Sequence, residues 1–185
     1  MTVSGRSELK TLRAVEADGA PVALAGEALY CGLYLNELLI RLLHRDDPQD
    51  TLLPLYQETL EALAGDATPA DVLLRRFEYR LLDALGYGFS LEVDVEGQAI
   101  DPAARYHLVP DQGLMADIRG HYPGGVLLAI AAEAWEADSR RLARDLMRAA
   151  LAPHLGDKPL RSRELFRPGG AERQAQDNQQ QDQDL

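Results

Sequence analysis

The residue types that would be most diagnostic of chemistry are four histidines, at positions 44, 107, 121 and 154, and one cysteine, Cys31. Their spacing assembles nothing. No H-E-x-x-H interval and no cysteine pair is present, so neither a metal site nor a disulfide within the chain is expected. The stretch HRDD at 44–47 has the His-Arg-Asp order of a kinase catalytic loop. It lacks the later asparagine, and no glycine-rich phosphate loop precedes it. GYG at 86–88 is too short for a nucleotide fingerprint, the serines sit in capping or loop contexts, and no G-x-S-x-G occurs. Nothing brings nucleophile, base and oxyanion donor together. No catalytic residue and no cofactor are assigned, and what remains is binding.

For binding, the informative residues are arginines. Arg75 and Arg76 are adjacent in LLRRFEYRLLDALGYG, residues 73–88, so a helix must point them in different directions. On a wheel of about 100° per residue, Leu74, Phe77, Leu81 and Leu85 share one stripe of roughly 80°. Arg76 and Arg80 point away from it toward solvent. Arg75 lies at the stripe's edge beside Tyr79 and Leu82. There it can lay its stem on apolar surface and offer its fork to a carboxylate, either that of Glu78 or that of a partner. A second group, Arg141, Arg144 and Arg148, shares one helix face, and Lys158, Arg161, Arg163 and Arg167 follow. These seven are open to two interpretations, a solvated face or a contact for a polyanion.

The charge distribution favours the second. The chain carries a net -11, yet residues 138–168 sum to +4 while residues 1–137 sum to -12. With 46% hydrophobic and 26% charged residues in 185, the composition is that of a globular chain with one well-packed core. The opening MTVSGRSELKTLR is polar, and the longest apolar run, VLLAIAA at 126–132, is far too short to span a bilayer. No membrane association is expected, and Cys31 reads as core filling in a reducing, cytoplasmic setting.

The elements that must hold these side chains are mostly helical. SELKTLRAVEAD reads as a single strand with no partner before it. Leucines 29, 33, 38, 39, 42 and 43 then recur at helical spacing. Asp47 and Pro48 suit the start of a second helix over TLLPLYQETLEALA, with Pro54 close enough to delay or kink it. In TPAD at 68–71, Thr68 can cap a third helix with Pro69 in its first position, and Gly86 or Gly88 supplies the stop. From 89 to 122 the period changes: FSLEVDV, RYHLV and GLMADI are strand-like pieces of a hairpin-rich insert. PGGVLLAIAAEAW predicts a short helix. ADSRRLARDLMRAALAPHLG predicts a longer one, entered through Asp138 or Ser139 and stopped near Gly156, and SREL at 162–165 predicts a last turn. The Gln/Asp-rich residues 169–185 are expected to be disordered. The fold class is therefore mainly α, a helical bundle with a small β-hairpin insert.

LYCGLYLNELLIRLL, LLRRFEYRLLDALGYG and LGDKPLRSRELF resemble, in order and spacing, the C-terminal helical domain of the RecO family of bacterial recombination mediators. The resemblance covers roughly residues 6–167. It implies that residues 1–18 are the remnant of an N-terminal OB-fold, mostly missing, before a helical domain over 19–168. It further implies a non-enzymatic DNA repair and recombination function in the bacterial cytoplasm, at the nucleoid. The implied partners are single-stranded DNA-binding protein, RecR, and single- and double-stranded DNA, with strand annealing and RecA loading as outcomes. The zinc site of some members needs four cysteines after LGYG, and the segment here has none, so zinc does not carry over. The first arginine of the RRFE motif, Arg75, is implied to bind the acidic, Phe-terminated tail of single-stranded DNA-binding protein, with Tyr79 and Leu82 beside it. Arg141, Arg144, Arg148, Lys158, Arg161 and Arg163 are the expected DNA contacts. The alternative is a helical interaction scaffold whose basic stretch pairs with its own acidic body.

Overall fold

The computed structural model describes residues 2–4, 11–14, 16, 19–44 and 49–166. Strand β1 (Thr2–Ser4) pairs antiparallel with β2 (Thr11–Ala14), with an irregularity between Thr2 and Val3. The strand read as lone from SELKTLRAVEAD therefore has a partner, and that partner precedes it. A three-residue strand with one apolar side chain leaves almost no periodic signal.

Helix α1 (Gly26–Leu42) buries Cys31, Tyr34, Leu35, Leu38 and Leu42, an i, i+3, i+4, i+7 stripe. Leu29 and Leu33 lie on its outer side and are exposed. The start proposed at Asp47 and Pro48 falls outside the described residues. Helix α2 (Leu52–Ala64) carries Pro54 in its first turn, where a missing N–H breaks no helix bond. It ends at Gly65. Helix α3 (Ala70–Ala84) begins one residue later than expected. Pro69 occupies the cap position, where it offers neither a side-chain acceptor nor an N–H, so no cap forms, and Asp71 pairs with Arg140. Gly86, at φ +81°, takes the left-handed turn after the helix.

The insert forms a three-stranded antiparallel sheet in the order β4 (Gly113–Ala116), β3 (Arg105–Val109), β5 (Tyr122–Pro123). Tyr106 is in register with Ala116 on one side and Tyr122 on the other. FSLEVDV contributes no strand; only Val93 makes an isolated bridge, to Ala99. Ser90 Oγ accepts from the backbone N–H of Glu92 and Val93, and Asp94 accepts from Glu96 and Gln98, so local turns consume the ladder groups.

Helix α4 (Gly124–Ala131) leads to α5 (Ala137–Leu155). The entry to α5 is a capping box with its residue types exchanged. Glu136 is the cap, and the Ser139 hydroxyl accepts from the Glu136 backbone N–H at 2.8 Å. A short α6 (Ser162–Leu165) follows. The core joins Phe77 and Leu81 of α3 to Leu35 and Leu38 of α1. It continues through Leu146 and Leu151 of α5, Leu127 of α4 and Leu114 of the sheet, each fully buried. Burial of one such side chain contributes roughly 1.5–3 kcal/mol. Helix α3 lies in the middle of this arrangement, which puts Arg75 at the seam between α1 and α5.

Candidate ligand-binding cavities

Two cavities meet at Arg75. The first, about 340 Å³, is bounded by Arg75, Arg76 and Tyr79 of α3 and by Leu91, Ile130 and Met147 opposite. Trp135, the only tryptophan, also lines it. The second, about 250 Å³, lies between α1, α3, α5 and α6. Its cations are Arg75, Arg144, Arg148 and Arg163, and its apolar wall is Cys31, Tyr34, Leu74 and Phe166. Glu27 and Asp71 also line it.

Arg75 is only 9% exposed, although it carries a full charge. One of its terminal nitrogens, Nη2, donates to Glu78 Oε1 at 2.5 Å, and the Tyr34 hydroxyl donates to the same oxygen at 2.5 Å. The intrahelical partner considered from the sequence is thus present. Burial pushes the Glu78 carboxyl above its usual range, against the pull of Arg75 and Tyr34. Burial, with Glu78 close by, also raises the Tyr34 phenol. Cys31 is pushed up to about 11, first by burial, which leaves it a poor nucleophile.

The pairing is incomplete. Arg75 Nε, Arg76 Nε and Trp135 Nε1 are buried donors with no hydrogen-bond partner among the described residues, and all three residues line the first cavity. Glu78 Oε2 is likewise unpaired. Leaving a buried donor unsatisfied costs about 1–3 kcal/mol, and three such donors belong to residues that line this one space. Arg76 is held at the mouth by Glu133 at 2.6 Å. The Tyr79 hydroxyl donates to the Phe89 carbonyl, which fixes its ring against the wall. Leu82 is 1% exposed, belongs to the core and lines neither cavity.

The basic stretch divides in the same way. Arg144, Arg148 and Arg163 converge on the second cavity. Arg141 is exposed and paired with Asp138 at 3.0 Å, one turn away. Lys158 and Arg161 are exposed and reach neither cavity. Their segment is instead held through its backbone by α1. Arg41 donates to the carbonyls of Lys158 (2.6 Å) and Pro159 (2.9 Å). Glu37 accepts from the backbone N–H groups of Arg161 (2.9 Å) and Ser162 (2.8 Å) and from the Ser162 hydroxyl (2.6 Å). Partial burial opposes ionisation of Glu37, but these hydrogen bonds together with Arg41 hold its carboxyl below the usual range.

Sequence reasoning missed Glu37, Arg41, Tyr34 and Trp135. The first two were legible only as an i, i+4 pair in NELLIR, which cannot show that both reach a segment 117–125 residues away. Trp135 had one signal, that a lone tryptophan tends to bury its ring and needs a partner for its N–H.

Among the described residues no group of three His, Cys, Asp or Glu could hold a metal ion, and no helix is long and apolar enough to cross a membrane. Residues 24–164 match the family described as "Recombination protein O C terminal". A protein named DNA repair protein RecO from Pseudomonas aeruginosa is 51% identical over 166 residues, covering 88% of this chain and 71% of the relative. Proteins of the same name from Stutzerimonas stutzeri and Pseudoalteromonas atlantica are 51% and 48% identical, covering 88% and 89% of this chain and 70% of each relative. With the family match running from the start of α1 into α6, the chain belongs to the RecO family of DNA repair and recombination proteins.

Proposed function

We propose that this chain is a non-enzymatic recombination mediator that uses the first cavity to hold the acidic, Phe-terminated tail of single-stranded DNA-binding protein, and its basic stretch to hold DNA. RecR is its further partner, and strand annealing and RecA loading are the outcomes. The observation that carries the tail assignment is the set of buried, partnerless donors on Arg75, Arg76 and Trp135, residues that line one space together with Arg80, Leu91, Ile130 and Met147. A terminal carboxylate supplies the acceptors, and the phenylalanine ring takes the apolar volume beside Met147, Leu91 and Ile130. At about 340 Å³ the cavity is at the small end of ligand sites, enough for one side chain and a terminus. The scaffold alternative needs the basic stretch to be consumed by the chain's own acids. Among the described residues, Arg140 is the one Lys or Arg of that stretch with an ion pair beyond its own helix, to Asp71 at 2.6 Å.

The test is fluorescence anisotropy with an acidic peptide ending in Asp-Ile-Pro-Phe. Arg75→Gln is expected to weaken binding roughly tenfold to a hundredfold, the equivalent of about 1.5–3 kcal/mol for a charge-assisted contact. Trp135→Phe, which keeps the ring and removes the donor, is expected to cost less but measurably, and Arg141→Gln nothing. Equal binding by the parent and Trp135→Phe, with an Arg75→Gln variant that melts at the parental temperature and also binds equally, rejects the cavity as the tail site.

A further inference from the structure

The second cavity brings together Arg144, Arg148 and Arg163, whose guanidinium groups are less fully paired than that of Arg75, with Glu27 and Asp71 as the acids on its wall. Arg148 and Arg163 form no ion pair with any described residue, and Arg144 has only a 3.3 Å contact with its neighbour Asp145. Of the two acids on the wall, Asp71 is already engaged by Arg140 through two bonds, at 2.7 and 2.6 Å. Partial desolvation, then Arg163, Arg144 and Arg75 in turn, pull the Arg148 guanidinium below its ordinary value, as expected where like charges crowd one space. Arg144 and Arg148 are exposed, so water and the nearby Asp145 offset part of this repulsion, and a bound anion would relieve the rest.

The arrangement also indicates the shape of that ligand. The guanidinium groups come from three elements: Arg75 from α3, Arg144 and Arg148 from α5, and Arg163 from α6. A planar carboxylate offers its lone pairs close to one plane, whereas a tetrahedral anion presents oxygens in several directions and accepts donors converging from several sides. Tyr34 and Phe166 sit beside the charges. Arg163 lies over the Tyr34 ring at 5.9 Å, and Phe166, 41% exposed, meets Tyr30 edge-on at 6.1 Å and keeps open surface at the cavity. A charged recess with an exposed aromatic ring at its lip suits a flexible strand whose bases can turn outward, and not a duplex with its bases stacked inside.

We propose that the cavity between α1, α3, α5 and α6 seats one phosphodiester of a single-stranded nucleic acid through Arg144, Arg148 and Arg163, with a flanking base against Phe166. This rests on the reading of the chain as a DNA-binding mediator and adds where on it the strand is held. Glu37 and Arg41 are positioning residues here, because they fix the backbone that carries Arg163 and Phe166.

The experiment measures binding of a short labelled oligothymidylate by anisotropy at low salt, beside an abasic oligomer of equal phosphate count, and binding of pyrophosphate by calorimetry. Arg148→Gln and Arg163→Gln are each expected to weaken the oligothymidylate about tenfold and to abolish pyrophosphate binding, while Arg141→Gln changes either less than about twofold. Arg148→Lys is expected to recover part of the loss, as a charge without the fork. Phe166→Leu is expected to weaken the oligothymidylate and leave the abasic oligomer unchanged. Equal losses from Arg141→Gln and Arg148→Gln overturn the cavity and leave a diffuse basic face, with DNA binding intact. Pyrophosphate bound through Arg148 by a protein that binds no oligomer overturns the nucleic-acid occupant and the DNA reading together, leaving a free-phosphate site. Loss of the acidic peptide on Arg148→Gln with the oligomer unaffected assigns the cavity to a peptide and rejects the proposal.

Discussion

Glu78 and Arg75 are one turn apart on α3, and their relation decides what the seam between the cavities can do. A carboxylate buried this deeply, with one oxygen shared by Tyr34 and Arg75 and the other unpaired, is held above its usual range. Because the folded state keeps its proton to higher pH than the unfolded chain, stability falls as pH rises from the ordinary value of 4.5 to the raised folded value, and is flat above it. Glu78→Gln has no such titration. In urea melts, the stability of the parent minus that of Glu78→Gln is expected to decrease with pH across that window, then level off. A difference that is constant from pH 4 to 8 shows that Glu78 titrates normally in the fold. The sequence showed that Arg75 stood at a boundary, and it offered both Glu78 and a partner as takers. It could not show that Tyr34, 44 residues away, competes for the same oxygen, because helical periodicity carries no information about which helix lies across.

At the scale of elements, what was legible followed from strong periodicity and failed where local hydrogen bonding competed. The helices over 26–42, 70–84 and 137–155 were present in the leucine spacing, and Gly86 and Gly156 end two of them in the left-handed region. FSLEVDV alternates like a strand, but Ser90 and Asp94 offer its backbone nearer partners. The α6 segment is a different case, since four residues make no stable helix alone. Glu37 stands in for its missing cap, accepting the N–H groups of Arg161 and Ser162 from across the fold. Glu37→Ala is expected to lower stability by about 1–3 kcal/mol and to release residues 158–166, seen as faster amide exchange there. The lowered folded value means that this contribution is complete above 4.5 and is lost as pH falls through the folded value. Parental exchange rates in 158–166 for Glu37→Ala would show that packing of Leu160, which is 3% exposed, holds the segment unaided.

Over the whole molecule, the acidic body and the basic stretch act on a polyanion in opposite ways, and salt separates them. The net charge of -11 repels DNA at long range, a repulsion that salt screens, whereas each phosphate neutralised by an arginine releases counterions and is weakened by salt. The sequence named six DNA contacts without ranking them. Of these, Arg144, Arg148 and Arg163 line one cavity, Arg141 is paired within its helix, and Lys158 and Arg161 stand on the surface. Binding to single strands is expected to be weak, at roughly 10⁻⁴–10⁻⁶ M, the range of sequence-independent contacts. Single strands lose affinity with a log–log slope of about -0.7 per neutralised phosphate. One phosphodiester held by the three cavity arginines therefore predicts a slope of about -0.7, and six cations each on its own phosphate a slope of about -4. Repulsion by the acidic body flattens either slope at the lowest salt, so the comparison belongs above about 0.1 M, where the screening length is near 10 Å. Replacing Arg141, Lys158 and Arg161 together by Gln is expected to leave a slope of about -0.7 unchanged, and replacing Arg144, Arg148 and Arg163 to bring it close to zero. A parental slope near -4 that each triple variant halves would instead mean that the strand lies across the whole face of α5 and the 158–163 segment, with no position favoured.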